Sequence, residues 1–175
     1  MEGEARESIG LTTAEAETSE DASVQDAVER VWREQGPKLW RSLTAFTGDP
    51  DLASDAMAEA FAQALGSGTD IHHADRWIWR TAFLVAKSEL QGRRRRQALE
   101  LREPATEPMP ESVADIVAAM KTLSPNQRMA AILMLYADQS ARSAAHVIGC
   151  SPTTARVHLT QARRRLRPLL EDPDD

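Results

Sequence analysis

The chain of 175 residues carries 42% hydrophobic and 5% aromatic residues and a net charge of −6, which allows one ordinary domain or two small ones with compact cores. Its single cysteine, Cys150, excludes an internal disulfide and a CxxC zinc pair, and no apolar run approaches the roughly 20 residues of a membrane span. Ala, Leu, Glu and Arg predominate without sustained β-branched alternation, so we expect an all-α fold and, with an acidic rather than basic N-terminus, a cytoplasmic location.

Residues 1–22 are acidic and rich in Ser, Thr and Ala, with only Ile9 and Leu11 as sizeable apolar groups, and are expected to form a disordered tail. Val24, Ala27, Val28, Val31 and Trp32 then recur at helical spacing, and Gly36-Pro37 is expected to interrupt this helix before Leu39, Trp40, Leu43 and Phe46 resume it. After the turn Gly48-Asp49-Pro50, residues 51–65 predict an amphipathic helix with Ala53, Met57, Ala60, Phe61 and Ala64 on one face and Asp55, Glu59 and Ala62 opposite. A loop holding His72 and His73, best read as an exposed turn because two adjacent histidines cannot make a zinc site, leads to a helix over 75–92 that runs into Arg93-Arg94-Arg95-Arg96.

Along that helix Arg76, Arg80, Phe83, Lys87 and Arg94 share a stripe with Trp79 beside it. Cations interleaved with aromatics suit single-stranded DNA, the charges following phosphates and a ring stacking on a base. Trp77, Ile78, Ala82, Leu84 and Val85 are expected in the core, which Trp79 and Phe83 would extend if they do not stack. Three prolines without hydrophobic periodicity mark residues 101–112 as a flexible linker. Two small helical domains follow, over 23–100 and 113–170, with a short acidic tail at 171–175.

Charge is segregated between the ends. Residues 1–30 hold nine acids against Arg6 and Arg30, whereas 121–167 hold eight cations against Asp138 alone, the distribution of a DNA-binding module with acidic appendages. In this basic part Ala141, Ala144, Ala145 and Ile148 form one apolar stripe and Ala155, Leu159, Ala162 and Leu166 another. Between them Gly149 suits a left-handed helix end, Ser151 a helix N-cap and Pro152 a first helical position. This is a helix-turn-helix pattern. The second helix turns Thr153, Val157, Thr160 and Arg164 outward, flanked by Arg156 and Gln161, as a major-groove reader would. The rival reading of Arg163, Arg164, Arg165 and Arg167 is a solvated helix end that complements the macrodipole.

The segment Leu123-Ser124-Pro125-Asn126-Gln127-Arg128 through GCSPTTARVHLTQARRRLRPLL resembles region 4 of sigma factors of the extracytoplasmic-function family. DLASDAMAEAFAQAL followed by RWIWRTAFLVAKSELQGRRRR is similar to region 2 of the same family. The resemblance, over about residues 24–170, implies a factor that binds core RNA polymerase through the β′ clamp helices and β flap and directs it to promoter DNA. It implies −35 contacts from Thr153, Thr154, Arg156, Val157, His158, Thr160, Gln161 and Arg164. Contacts to the −10 element would come from Arg76, Trp77, Trp79, Arg80, Phe83, Lys87, Arg93, Arg94, Arg95 and Arg96, with Thr69 to His73 setting promoter choice. Asp55, Glu59 and Phe61 would bind polymerase, and an anti-sigma protein is a further partner the resemblance leaves open. Ala58 and Leu84 stand where the family usually has glutamine and asparagine.

No nucleophile–base pair or glycine-rich phosphate loop points to catalysis, cofactor or metal. Two rivals remain: a dimeric helix-turn-helix regulator, and a polymerase-binding protein without promoter recognition.

Overall fold

The computed structural model describes residues 8–67, 71, 73–100 and 118–170, and among them it is helical with no strand. Helix α1 runs Ser8–Thr47, α2 Pro50–Gly66 and α3 Ala74–Glu100. The C-terminal half has a helical turn at 118–121. It continues with α4 (Pro125–Ala131), extended by a π-helical segment Ile132–Tyr136, then α5 (Ala141–Ile148) and α6 (Pro152–Leu170). The linker region 101–112, the termini 1–7 and 171–175, and much of the loop 68–73 lie outside the described residues.

Two boundaries differ from the sequence expectation. Helix α1 begins at Ser8, inside the segment read as a tail, and it continues through Pro37 instead of breaking there. Proline removes one N–H but leaves the preceding and following turns able to bond, and tertiary packing supplies the rest. Val31, Leu39 and Leu43 are buried on either side of it. Gly36 lets α2 come close, since a Cβ there would lie 3.4 Å from the Met57 methyl.

Punctuation is chemically explicit between α1 and α2. Gly48 takes the left-handed conformation at φ 73°, and Asp49 caps α2 by accepting from the N–H groups of Asp51 at 2.9 Å and Leu52 at 3.0 Å. Pro50 follows at the start of the helix, where its missing donor costs nothing. Burial opposes the Asp49 charge. The Leu52 N–H, the nearby Arg93 guanidinium and the Asp51 N–H outweigh that and hold the carboxyl below its ordinary value.

Helix α2 buries Ala53, Ala56, Ala60 and Ala64 beside Leu52, Met57 and Phe61, small side chains that let α1 and α3 close around it. Leu39, Leu43, Phe46, Ile78 and Phe83 are fully buried at the centre. The core does not stop at the domain boundary. One continuous cluster joins these residues to Met129, Leu133, Ala144, Val147 and Ile148, while Ala119, Leu123, Ala131, Ala162 and Leu166 form a smaller one.

Polar contacts also cross between the halves. Arg80 donates to the carbonyl of His146, Arg128 to the carbonyl of Phe46 at 2.8 Å, Lys87 to Asn126 at 3.2 Å, and Lys38 pairs with Asp138 at 3.2 Å. The first two are reciprocal. Each arginine meets a carbonyl in the last turn of a helix of the other half, α5 and α1 respectively, where unpaired carbonyls and the negative dipole end attract a cation.

Candidate functional site

The turn between α5 and α6 is built from the residues the sequence singled out. Gly149 sits at φ 82°, and its N–H and that of Cys150 both donate to the carbonyl of Ala145, at 2.9 and 3.0 Å. Ser151 then accepts from the N–H of Thr154 at 3.0 Å, and Pro152 opens α6. Burial raises the thiol pKa of Cys150, which packs half-buried against the core behind this turn.

Ala155, Leu159, Ala162 and Leu166 are buried and fix the roll of α6 about its axis. Its other face therefore projects Thr153, Thr154, Arg156, Val157, Thr160, Gln161 and Arg164, all exposed. The face carries no acid. Val157, 48% exposed, gives it an apolar contact among donors and acceptors. His158 is placed differently: it is half-buried, and its Nδ1 is enclosed without a hydrogen-bond partner, so its ring lies at the edge of the face. Arg165 bends back to donate to the carbonyl of Thr122 at 3.3 Å.

Helix α3 corrects part of the expected stripe. Phe83 is fully buried and Trp79 is 4% exposed. Their rings stack 6.2 Å apart at 13°, Phe83 also meets Phe46 at 5.5 Å, and the indole N–H of Trp79 donates to Gln35 at 2.8 Å. Both belong to the core and present no face to a base in this conformation. Leu84, expected in the core, is instead 44% exposed. The reason is that α3 is covered from two directions, by α1 and α2 and by α5, which buries 78, 79, 82, 83 and 86 together.

The remaining residues of the stripe are distributed as follows. Arg76, Arg95 and Arg96 are exposed, whereas Trp77 and Lys87 are half-buried. Arg80 is half-exposed and engaged with α5. Arg93 pairs with Asp49. The side chain of Arg94 lies outside the described residues.

On α2, Asp55 and Glu59 are exposed, and Glu59 accepts from Gln63 at 2.6 Å. They border a groove of about 490 Å³ between α2 and α3 whose walls include Leu52, Val85 and Glu89. Phe61, which the resemblance grouped with them but the periodicity placed on the opposite, apolar face, is only 6% exposed. It is held edge-on by Trp32 at 5.0 Å, because it falls on the alanine face that packs against α1.

Sequence reasoning passed over Arg128 as a functional residue. It is 3% exposed, with donors to Phe46 and to the carbonyl of Met120 at 2.8 Å, and its guanidinium lies 5.8 Å from the Phe46 ring centroid. A signal was present: a lone cation in the apolar run RMAAILMLY, with no acid within four residues. Gln127 was passed over as well. It is buried and hydrogen-bonded to Gln161 at 2.9 Å. Among the described residues there is no cluster of three metal-ligating side chains and no helix long and apolar enough to cross a membrane.

Residues 114–166 match the family model described as Sigma-70, region 4. No curated protein matches the chain by sequence. Among solved structures, the sigma factor RpoE from Bartonella quintana, in complex with the anti-sigma factor NepR, is similar at 21% identity with a TM-score of 0.60, over 84% of this chain and 98% of that one. CnrH, in complex with the cytosolic domain of CnrY, is similar at 21% identity with a TM-score of 0.67, over 91% of this chain and 99% of that one. At such identities the likeness is one of fold, and it spans both halves. Residues 114–166 thus carry the match to sigma-70 region 4, within a chain whose described length has the fold of these two structures.

Proposed function

We propose that the protein is a promoter-recognising sigma factor of the extracytoplasmic-function type, without catalytic activity of its own, that joins core RNA polymerase in the cytoplasm and directs it to −35 and −10 elements. The observation that carries this reading is α6: a capped, acid-free helix whose back is locked by four buried side chains while Thr153, Arg156, Val157, Thr160, Gln161 and Arg164 are exposed. Such a face fits a major groove, where each base pair shows its own pattern of donors, acceptors and methyl groups. On the other half, Arg76, Arg80, Lys87 and Arg93 to Arg96 supply phosphate contacts. Trp77 is the aromatic of α3 that retains partial exposure, and the proposal gives it the stacking role that burial denies Trp79 and Phe83. Asp55 and Glu59 form the polymerase contact, an acidic edge of a groove whose walls mix Leu52, Ala56 and Val85 with polar side chains.

Arg80 and Lys87 are engaged with the C-terminal half, so their use on DNA requires the halves to part. That the two solved structures named above are complexes with protein partners supports a partner of the anti-sigma kind for this chain too.

The test uses purified protein with and without core polymerase on a selected promoter. Transcription should start only with both present, and the protein alone should bind the duplex weakly, because each basic module is modest and the chain as a whole is acidic. Tight, sequence-specific binding by a free dimer with no effect on polymerase would replace this reading with that of a stand-alone regulator, since two half-sites demand two copies.

A further inference from the structure

A glutamine side chain can offer a base either a donor or an acceptor, and which one it offers is decided by what holds its other end. Gln161, on the exposed side of α6, is held by Gln127, and Gln127 is held by the backbone. The N–H of Ser124 donates to Oε1 of Gln127 at 3.2 Å, while the Ser124 hydroxyl accepts from the N–H of Gln127 at 3.3 Å. These two bonds form the capping box that starts α4.

The orientation of both amides follows from that one backbone donor. A peptide N–H can only donate, so the atom of the Gln127 amide that faces Ser124 must be the oxygen. Its Nε2 then faces Gln161, and an amide nitrogen can only donate. The atom of Gln161 that it meets, 2.9 Å away, must therefore be Oε1. Gln127 is 8% exposed, which keeps water from competing for either bond. With its oxygen drawn toward the core, the Gln161 amide turns its two N–H bonds outward.

We propose that Gln127 is a positioning residue for base reading: through the relay Ser124–Gln127–Gln161 it fixes Gln161 as a hydrogen-bond donor, so that the base position Gln161 reads favours guanine or thymine over cytosine. The inference rests on α6 being the DNA-reading helix. In the major groove guanine shows the acceptors N7 and O6 and thymine shows O4, whereas cytosine shows the donor N4. The common glutamine–adenine pairing uses the amide oxygen and nitrogen together, and the relay holds that oxygen away.

The experiment measures promoter-complex formation by the protein with core polymerase, in competition across templates carrying each base at each position of the upstream element. Gln161→Ala identifies the position, where preference should flatten by roughly 5- to 100-fold. Gln127→Glu retains the capping box, because a carboxylate also accepts from the Ser124 N–H, but it can no longer donate to Gln161. The Gln161 amide should rotate, present its oxygen, and shift preference at that single position toward cytosine or adenine. Gln127→Met, apolar and of similar length, should instead relax the position without reversing it, and it serves as the second variant if the buried carboxylate unfolds α4. If Gln161→Ala alters one position and neither Gln127 variant does, Gln127 is only a helix cap and the relay is overturned. If Gln161→Ala alters no position, the relay falls together with the assignment of base reading to Gln161.

Discussion

Replacing Arg128 by Met tests whether the two halves are held together by buried charge as well as by apolar contact. Methionine keeps most of the side-chain volume, so the cavity contribution is small, and the change isolates the guanidinium. Its bonds to the carbonyls of Phe46 and Met120 are each 2.8 Å long at a site 3% exposed. A hydrogen bond to a charged group contributes about 1.5–3 kcal/mol, so these two together contribute about 3–6 kcal/mol. Relief from burying a cation returns part of that, so we expect a net loss of about 2–4 kcal/mol. Urea unfolding followed by the emission of Trp32, Trp40, Trp77 and Trp79, all in the N-terminal half, and by total helicity gives the measurement. The variant should unfold at lower urea, and the two probes should separate, because the Phe46 bond is one that ties the C-terminal half to the N-terminal one. A variant with the midpoint, slope and coincident probes of the wild type would show that Arg128 links nothing and that the shared apolar cluster alone joins the halves.

Two further outcomes follow from local geometry. Asp49 has its carboxyl held below the ordinary value, so its charge stabilises the fold above about pH 4 and that contribution is lost as pH falls through the lowered value. Asp49→Asn, an equally good cap, should therefore be less stable than wild type near neutrality and indistinguishable from it in strong acid; a gap in urea midpoint that ignores pH refutes the pairing with Arg93. Gly149→Ala should cost about 1–2 kcal/mol for its left-handed backbone, since a Cβ there meets Arg80 only at an ordinary 3.7 Å. Gly149→Asn should cost less, and equal melting temperatures for the two would place the penalty elsewhere.

What the sequence made legible was what depends on neighbours along the chain. The sequence Gly149-Cys150-Ser151-Pro152 dictates a helix end, a cap and a start within four residues, and the apolar repeat of α6 fixes which side faces out. Pro37 misled because helix continuity there is decided by α2 packing on the other side of Gly36, not by the proline. Leu84 was misplaced, and Phe83 left open between core and stripe, because a helical wheel assumes one buried face, and α3 has two neighbours on different sides. The lone cation in RMAAILMLY marked Arg128 as unusual, but its partner Phe46, like the partner Gln161 of Gln127, could not be read, since the two lie 82 and 34 residues away. No local rule pairs an arginine with a distant helix end.

The chemistry of the Arg80 contact is compatible with the proposed use of one side chain in both the packed state and on DNA. The last turn of α5 offers Arg80 a carbonyl carrying part of the dipole's negative charge, about half an elementary charge spread over the helix end. A phosphate offers a full charge and oxygens of matching geometry to the same planar group of donors. A DNA backbone brought close by polymerase can therefore displace the carbonyl without leaving the guanidinium unpaired. The apolar cluster behaves differently. Met129, Leu133, Val147 and Ile148 share it with Phe46 and Phe83, so parting the halves brings buried surface into water at about 25 cal/mol per Å². The polar latch is exchangeable and the apolar cluster is not, so the separated, DNA-bound form that the proposal requires would need a protein surface to cover what separation exposes.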